Sequence, residues 1–161
     1  MSSTYTDALK LLARRELSER QVRERLARKG HDEGDIDAAL VRLVEERAID
    51  DQRVAEAIVR TQAGVKRRGA VRILRELQSA GIAPGLARQA LDSMVTEDDA
   101  EASLRAALSR RLRGDRPIAD DREFQRLYRF LLGQGFDSDR IRQALNARRR
   151  TDQGSDTEPG D

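Results

Sequence analysis

The residues of this sequence best suited to chemistry are arginines at helical spacing, and the chemistry they suit is the binding of anions. Arg53 and Arg60 are seven residues apart, so on one helix they project from the same side. Arg68, Arg72 and Arg75 recur at i, i+4 and i+7, which predicts a cationic ridge on a second helix. Guanidinium groups pair with carboxylates or phosphates. The candidate partner-binding residues are Arg53, Arg60, Lys66, Arg67, Arg68, Arg72 and Arg75.

Other residues that could carry chemistry have simpler structural interpretations. His31 is the only histidine, and we interpret it as a half-buried packing residue because its repeat equivalents, described below, are apolar. Asp50-Asp51 and Asp120-Asp121 could hold a metal, but each pair opens a helical pattern, where aspartate caps backbone amides. No phosphate-binding loop, nucleophile elbow, zinc-protease or dinucleotide-binding pattern is present. We therefore expect no metal, no cofactor and no enzymatic activity.

Composition and charge place limits on the class of protein. The chain has 161 residues, 38% hydrophobic and 37% charged, with a formal net charge of only +2. The charge is unevenly spread, since residues 52–95 hold eight basic and three acidic side chains. Residues 150–161 lack large apolar side chains and are predicted to be a disordered acidic tail. Because there is no cysteine and no apolar run of membrane-spanning length, we expect a soluble, cytoplasmic protein.

A repeated apolar pattern predicts the fold. One set of buried-type residues around a glycine recurs 51 and then 54 residues later with unbroken internal spacing. The three copies are Val22, Leu26, Gly30, His31, Ile36, Leu40; Ile73, Leu77, Gly81, Ile82, Ala87, Leu91; and Leu127, Leu131, Gly135, Phe136, Ile141, Leu145. Each copy is a helix ended by glycine and followed by another helix, with a preceding helix completing the unit.

The pattern predicts an all-α protein of three tandem three-helix repeats in an extended, curved arrangement, which we expect to be a monomer. The predicted repeats span residues 5–47, 48–95 and 96–149, followed by the tail at 150–161. Because units of this size have small cores, neighbouring units should stack.

The sequence also resembles a known family, the bacterial RecX regulators of the RecA recombinase. The resemblance is carried by LARRELSERQVRERLARKG (12–30), IDDQRVAEAIVR (49–60), Gly69, Arg72-Ile73, Glu76-Leu77 and Gly81-Ile82, and it covers about residues 5–148. It implies a non-enzymatic protein that lodges in the groove of the RecA filament on single-stranded DNA and restrains ATP hydrolysis and strand exchange. Roles in DNA repair, recombination and the SOS response would follow, with weak direct DNA binding as a secondary property.

Two alternatives remain open from the residues alone. One is a transcriptional regulator that uses a unit as a DNA-binding helix-turn-helix, in which Arg88 and Gln89 would read base edges. The other is stacking of single-stranded bases on the aromatics of residues 124–136, aided by Arg122, Arg126 and Arg129, although those aromatic positions mostly fit a core face.

Overall fold

The helical repeat pattern folds into nine α-helices across residues 3–149, the part of the chain that the computed structural model describes. The helices are α1 (Thr4–Leu12), α2 (Glu19–Arg28), α3 (Glu33–Glu45), α4 (Asp51–Val59), α5 (Ala70–Ser79), α6 (Pro84–Met94), α7 (Glu97–Leu112), α8 (Asp121–Gly133) and α9 (Ser138–Ala147). A π-helical segment, Arg60–Val65, extends α4. The all-α prediction is confirmed, and the predicted tail at 150–161 lies outside the described residues.

Three hydrophobic cores, one for each successive trio of helices, confirm the tandem three-helix repeats. We call these trios unit 1 (α1–α3), unit 2 (α4–α6) and unit 3 (α7–α9). Each core is built on fully buried leucine or isoleucine side chains, such as Leu26, Leu77 and Leu131. Ile49 packs in the first core, two residues beyond the predicted end of repeat 1. The exact repeat boundaries and the curved arrangement of the three units stay predictions.

The glycine turn has the same geometry in all three units, as the sequence register predicts. Gly30, Gly81 and Gly135 have φ values of 86°, 85° and 92°, the left-handed region that glycine enters without steric cost. In each unit the residue after the glycine donates its N–H to a carbonyl five residues back, closing a Schellman-type turn. The three bonds are His31 to Leu26 (3.3 Å), Ile82 to Leu77 (3.0 Å) and Phe136 to Leu131 (3.3 Å).

The predicted aspartate caps are also confirmed. Asp50 Oδ1 accepts a hydrogen bond from Arg53 N at 3.0 Å, and Asp120 Oδ1 accepts one from Glu123 N at 2.7 Å. Asp51 has a further role, because its Oδ1 accepts a hydrogen bond from Glu19 N at 2.8 Å. A side chain in the first turn of α4 in unit 2 therefore also accepts a hydrogen bond from a backbone amide at the start of α2 in unit 1.

The ends of the middle helices α2, α5 and α8 contact one another, and these end-to-end contacts join the three units. At the first contact, Ser18 at the start of α2 donates its hydroxyl to Ala80 O at the end of α5. At the second, Gly69 N and Val71 N at the start of α5 donate to Gln134 O (2.9 Å) and Gly135 O (3.2 Å) at the end of α8. The amides that open one helix and the carbonyls that close another are left unbonded by the helices themselves. Pairing them places the helix dipoles head to tail.

A half-buried carboxylate closes the connection between α7 and α8. Glu123 accepts hydrogen bonds from both terminal nitrogens of Arg116 and from Ala119 N, the last at 2.8 Å. The Arg116 hydrogen bonds are the main cause that lowers the pKa of Glu123 to about 2.

The lowered pKa of Glu123 makes the free energy of unfolding depend on pH between the unfolded and the folded pKa of this residue. The pKa of Glu123 is lowered from 4.5 to about 2 on folding. Its contribution is therefore complete above the unfolded value and is lost as the pH falls from there toward the folded value. We expect Glu123→Gln to lower the melting temperature at pH 7, with the gap to the wild type closing between those two pH values. Circular dichroism melts across that range test this. The matched control is Glu101→Gln, which removes an exposed pair with Arg105, and a gap for Glu123→Gln that does not change with pH would contradict the assignment.

Candidate partner-binding surface

The backbone between α4 and α5 holds basic side chains at the junction of units 2 and 3. Lys66 N donates to Thr61 O at 3.0 Å and Arg68 N donates to Gln62 O at 2.9 Å, which fold this loop back on the π-helical segment. Arg67 has a φ of 52°, a left-handed conformation that costs a non-glycine residue about 1–2 kcal/mol. π-Helical turns are frequent at functional sites, and non-glycine residues in the left-handed region cluster there, so this loop is a candidate site. Arg47 and Arg113 share the left-handed conformation, so the φ of Arg67 alone does not single it out.

The predicted ridge of three arginines on one helix was wrong for Arg68. Helix α5 begins at Ala70, and Gly69 is extended, with φ −79° and ψ 163°. The extended backbone lets Gly69 bond to unit 3, which the sequence of unit 2 does not reveal. Arg72 and Arg75 do lie on α5, while Arg68 lies in the loop before it.

Two of the predicted site residues are engaged in joining units. The Arg53 guanidinium forms an ion pair with Glu16 in the connection before α2. Arg72 Nη1 donates to Gly133 O at 3.2 Å, and its Cβ lies against Gly135. Both side chains therefore have a structural role at a junction between units.

The remaining predicted cations have no ion-pair partner within residues 3–149. Arg60, Lys66, Arg67 and Arg75 are exposed and Arg68 is half-buried. Other exposed arginines also lack an ion pair within residues 3–149, and three of them line the same cavities as these cations. They are Arg88, Arg110 and Arg111.

We call Arg60, Lys66, Arg67, Arg68, Arg88, Arg110 and Arg111 the basic junction. They line two neighbouring cavities that share Arg67. The larger, of about 430 Å³, is lined by Arg60, Arg67, Arg68 and Arg88 among others. The smaller, of about 200 Å³, is lined by Lys66, Arg67, Arg110 and Arg111 with Phe130. The larger cavity also carries Asp92, Glu97, Asp99 and Asp137, and hydrogen bonding to Thr96 and, to a smaller degree, the charge of Arg67 lower the pKa of Asp99. The described lining of the smaller cavity has four cations and no carboxylate, so the positive charges repel one another there and a bound polyanion would relieve that repulsion.

Sequence reasoning missed Arg110 and Arg111 because they belong to unit 3. They line one cavity with Lys66 and Arg67 of unit 2, which the sequence of either unit alone does not reveal. A weak signal was available, since the residues four positions before them, Ala106 and Ala107, are apolar and offer no helical ion pair.

The other candidate residues take structural positions. The side chain of His31 is 17% exposed, which confirms the predicted half-buried position, and its ring nitrogens lie 3.1 Å from Thr4 Oγ1 and from Asp7 Oδ2, so its contacts are polar. In residues 3–149 no group of three or more metal-ligating side chains is close enough to hold an ion. None of the helices described has the length and apolar content that a membrane span requires.

The aromatic residues of α8 lie beside arginines from other elements. Arg149 lies over Phe124 at 4.4 Å, Arg142 over Tyr128 at 5.6 Å, and Arg111 over Phe130 at 5.0 Å from the ring centroid. Phe124 is buried and the other two are half-buried. These rings therefore pack against protein, and of the three only Phe130 borders the basic junction.

The fold and this surface together define a class of protein: an all-α tandem-repeat protein with an unpaired basic surface between two of its units. Comparison with known proteins gives the family. The family descriptions "RecX, first three-helix domain", "RecX, second three-helix domain" and "RecX, third three-helix domain" match residues 5–43, 50–91 and 97–145. The chain belongs to the RecX family, which is a regulatory family and not an enzyme family.

Individual relatives match along nearly the whole chain. The regulatory protein RecX of Halorhodospira halophila is 41% identical, over 87% of this chain and 84% of the relative. The regulatory protein RecX of Acidithiobacillus ferrooxidans is 38% identical, over 92% and 93%. The crystal structure of RecX from Lactobacillus salivarius shares the fold with a TM-score of 0.76, at 24% identity, over 91% of this chain and 94% of that one.

Proposed function

We propose that this protein binds the RecA filament on single-stranded DNA, as a monomer, and restrains its ATP hydrolysis and strand exchange. The observation that carries the proposal is the basic junction, which concentrates unpaired cations in a member of a regulatory family. A nucleoprotein filament offers phosphates and acidic protein surface, and both attract arginine.

The arrangement of the units supports a role in binding without catalysis. Each unit has its own core, and the units are joined by helix-end hydrogen bonds and a few side chains. A row of units held this way can follow the surface of a filament across neighbouring subunits. Inhibition would then come from occupying the filament, with no bond made or broken by this protein.

RecA ATPase activity on single-stranded DNA, measured with increasing amounts of the wild-type protein, tests the proposal. We expect inhibition that weakens as salt is raised, because exposed arginines supply part of the attraction. Inhibition far below one protein per RecA subunit would indicate capping of filament ends, and near-equal amounts would indicate occupancy along the groove.

Parallel titrations of naked single-stranded DNA, of RecA without DNA and of the filament identify the partner. We expect the filament to be bound most tightly. If the protein leaves both the ATPase and the lifetime of the filament unchanged and instead binds a defined duplex tightly, the proposal is contradicted and the helix-turn-helix alternative replaces it.

A further inference from the structure

The smaller cavity of the basic junction is lined by cations from both units, and we call it the cationic pocket. Its described lining is Lys66, Arg67, Ala107, Arg110, Arg111, Phe130 and Gln134, which includes no carboxylate. Arg67 also borders the acidic residues of the larger cavity. The other three cations are exposed and have no ion-pair partner within residues 3–149. Positive charges this close repel one another, so the cationic pocket favours an anionic occupant.

The size of the cationic pocket limits what that occupant can be. Its volume is about 200 Å³, below the range of about 300–1,000 Å³ typical of pockets for larger ligands. The guanidinium of Arg111 lies over the Phe130 ring at 5.0 Å from its centroid, so a base stacked on that face would have to displace it. Carboxylate side chains are small enough to enter and form charge-assisted hydrogen bonds with guanidinium groups.

The described part of the chain ends beside the helix that supplies two of these cations. Ile118 N donates to Arg148 O at 2.8 Å, and Arg148 Nη2 donates to Ser109 Oγ at 3.2 Å. Ser109 directly precedes Arg110 and Arg111 in the last turn of α7. Because a helix with its side chains is about 10–12 Å across, the chain leaves the described structure close to the cationic pocket.

The residues that follow are rich in carboxylates. Residues 150–161 lie outside the described residues, and their sequence has one cation, Arg150, against four acidic residues, Asp152, Asp156, Glu158 and Asp161. A stretch of this length can span up to ~40 Å, so passing around α7 uses only part of it. Reach and charge therefore both allow these carboxylates to enter the cationic pocket.

From this arrangement we infer that residues 151–161 dock on the cationic pocket through their carboxylates and compete there with any polyanion. The contact is held by charge, because the segment has no large apolar side chain. The inference goes beyond the proposed function, since a contact within one chain requires neither RecA nor DNA.

A second group of arginines near the chain end is less suited to the same segment. Arg122 and Arg126 are exposed on α8. Asp121 and Glu123 flank Arg122 in the sequence, and the charge of Arg126 already attracts Glu123. Carboxylates of α8 therefore partly offset these arginines, whereas none is present in the described lining of the cationic pocket.

A spin label on the acidic segment tests the contact directly. The chain has no cysteine, so Ser155→Cys gives one attachment point for a nitroxide in the full-length protein. At low salt we expect paramagnetic broadening of the backbone amide signals of Lys66 and Arg110, and we expect it to disappear as salt screens the charges. No broadening there at low salt would overturn the inference, and so would broadening that is strongest at Arg122 and Arg126.

A matched labelled variant shows whether charge holds the contact. It carries Asp152→Asn, Asp156→Asn, Glu158→Gln and Asp161→Asn, which keep the length of the segment and remove its negative charge. We expect the broadening at the cationic pocket to be lost. Unchanged broadening would overturn the inference, because carboxylates would then have no part in the contact.

Competition is measured with a labelled oligothymidylate as the polyanion. Removing residues 151–161 should tighten its binding roughly threefold or more at low salt, because a tethered competitor acts at a high effective concentration. In Lys66→Gln/Arg110→Gln, which changes two exposed positions, the same removal should have little effect. Unchanged affinity on removal, or an equal gain in both backgrounds, would overturn the inference. RecA is absent from these measurements, so their failure would leave the proposed function standing.

Discussion

Replacing Gly69 with alanine is expected to separate unit 2 from unit 3 while leaving both units folded. An added Cβ would lie 2.3 Å from the carbonyl carbon and oxygen of Gly135 and 2.4 Å from Phe136 N. These are backbone atoms at a helix end, so no side-chain rotation relieves the clash. The extended backbone of Gly69 itself accepts alanine without strain. The loss of stability would therefore come only from the contact between units 2 and 3.

The expected size follows from the bonds that must break. Gly69 and Val71 donate to Gln134 O and Gly135 O, and hydrogen bonds of this kind contribute about 0.5–1.5 kcal/mol each. We expect the Gly69→Ala protein to lose roughly 1–3 kcal/mol of unfolding free energy. Amide hydrogen exchange should show lost protection at positions 69 and 71, with protection at Leu77 in the core of unit 2 retained.

A matched control is available across the same junction. An added Cβ at Gly133 meets nothing within 4 Å, and Gly133 is the last residue of α8. Alanine is favoured over glycine in helices by roughly 0.5–1 kcal/mol, so Gly133→Ala should be neutral or stabilising. Equal denaturation midpoints and equal exchange for wild type and Gly69→Ala would contradict the role assigned to this contact.

The local features of the fold were readable from the sequence because each is determined by neighbouring residues. The turn glycines follow from a spacing that recurs three times, and left-handed φ angles at Gly30, Gly81 and Gly135 are a local requirement. The caps at Asp50 and Asp120 likewise depend on amides three residues away.

Features that depend on how the units meet could not be predicted in this way. Gly69 reads as an ordinary loop glycine until its contact with Gly135 is seen. Because of that contact, α5 begins at Ala70, and Arg68 lies outside the helix. The same contact also brings Arg110 and Arg111 to the loop that holds Lys66. The π-helical segment gave no sequence signal, since its composition, RTQAGV, suits a helix end or a turn equally. The candidate site was therefore predicted in unit 2 and missed in unit 3.

Reversing two exposed cations, Arg67→Glu with Arg75→Glu, is expected to weaken filament binding roughly tenfold or more, which corresponds to about 1.4 kcal/mol. Both side chains are exposed and have no ion-pair partner within residues 3–149, so the change replaces attraction to a polyanion by repulsion. Arg68 and Arg72 are left in place, because Arg68 is half-buried and Arg72 holds Gly133 O. Altering them would damage the junction and confuse binding with folding.

The matched control is Arg122→Glu with Arg129→Glu, two exposed arginines of α8 that also lack an ion pair within residues 3–149. Both double variants change the net charge equally, so a general effect of charge would lower the affinity of both. We expect only Arg67→Glu/Arg75→Glu to raise the concentration needed to inhibit the RecA ATPase, and to make that concentration less dependent on salt, because fewer counterions are released on binding. Equal losses in the two variants would mean that the attraction is spread over the whole surface. Unchanged inhibition by Arg67→Glu/Arg75→Glu at moderate salt, with an unaltered circular dichroism spectrum, would exclude Arg67 and Arg75 from the binding surface.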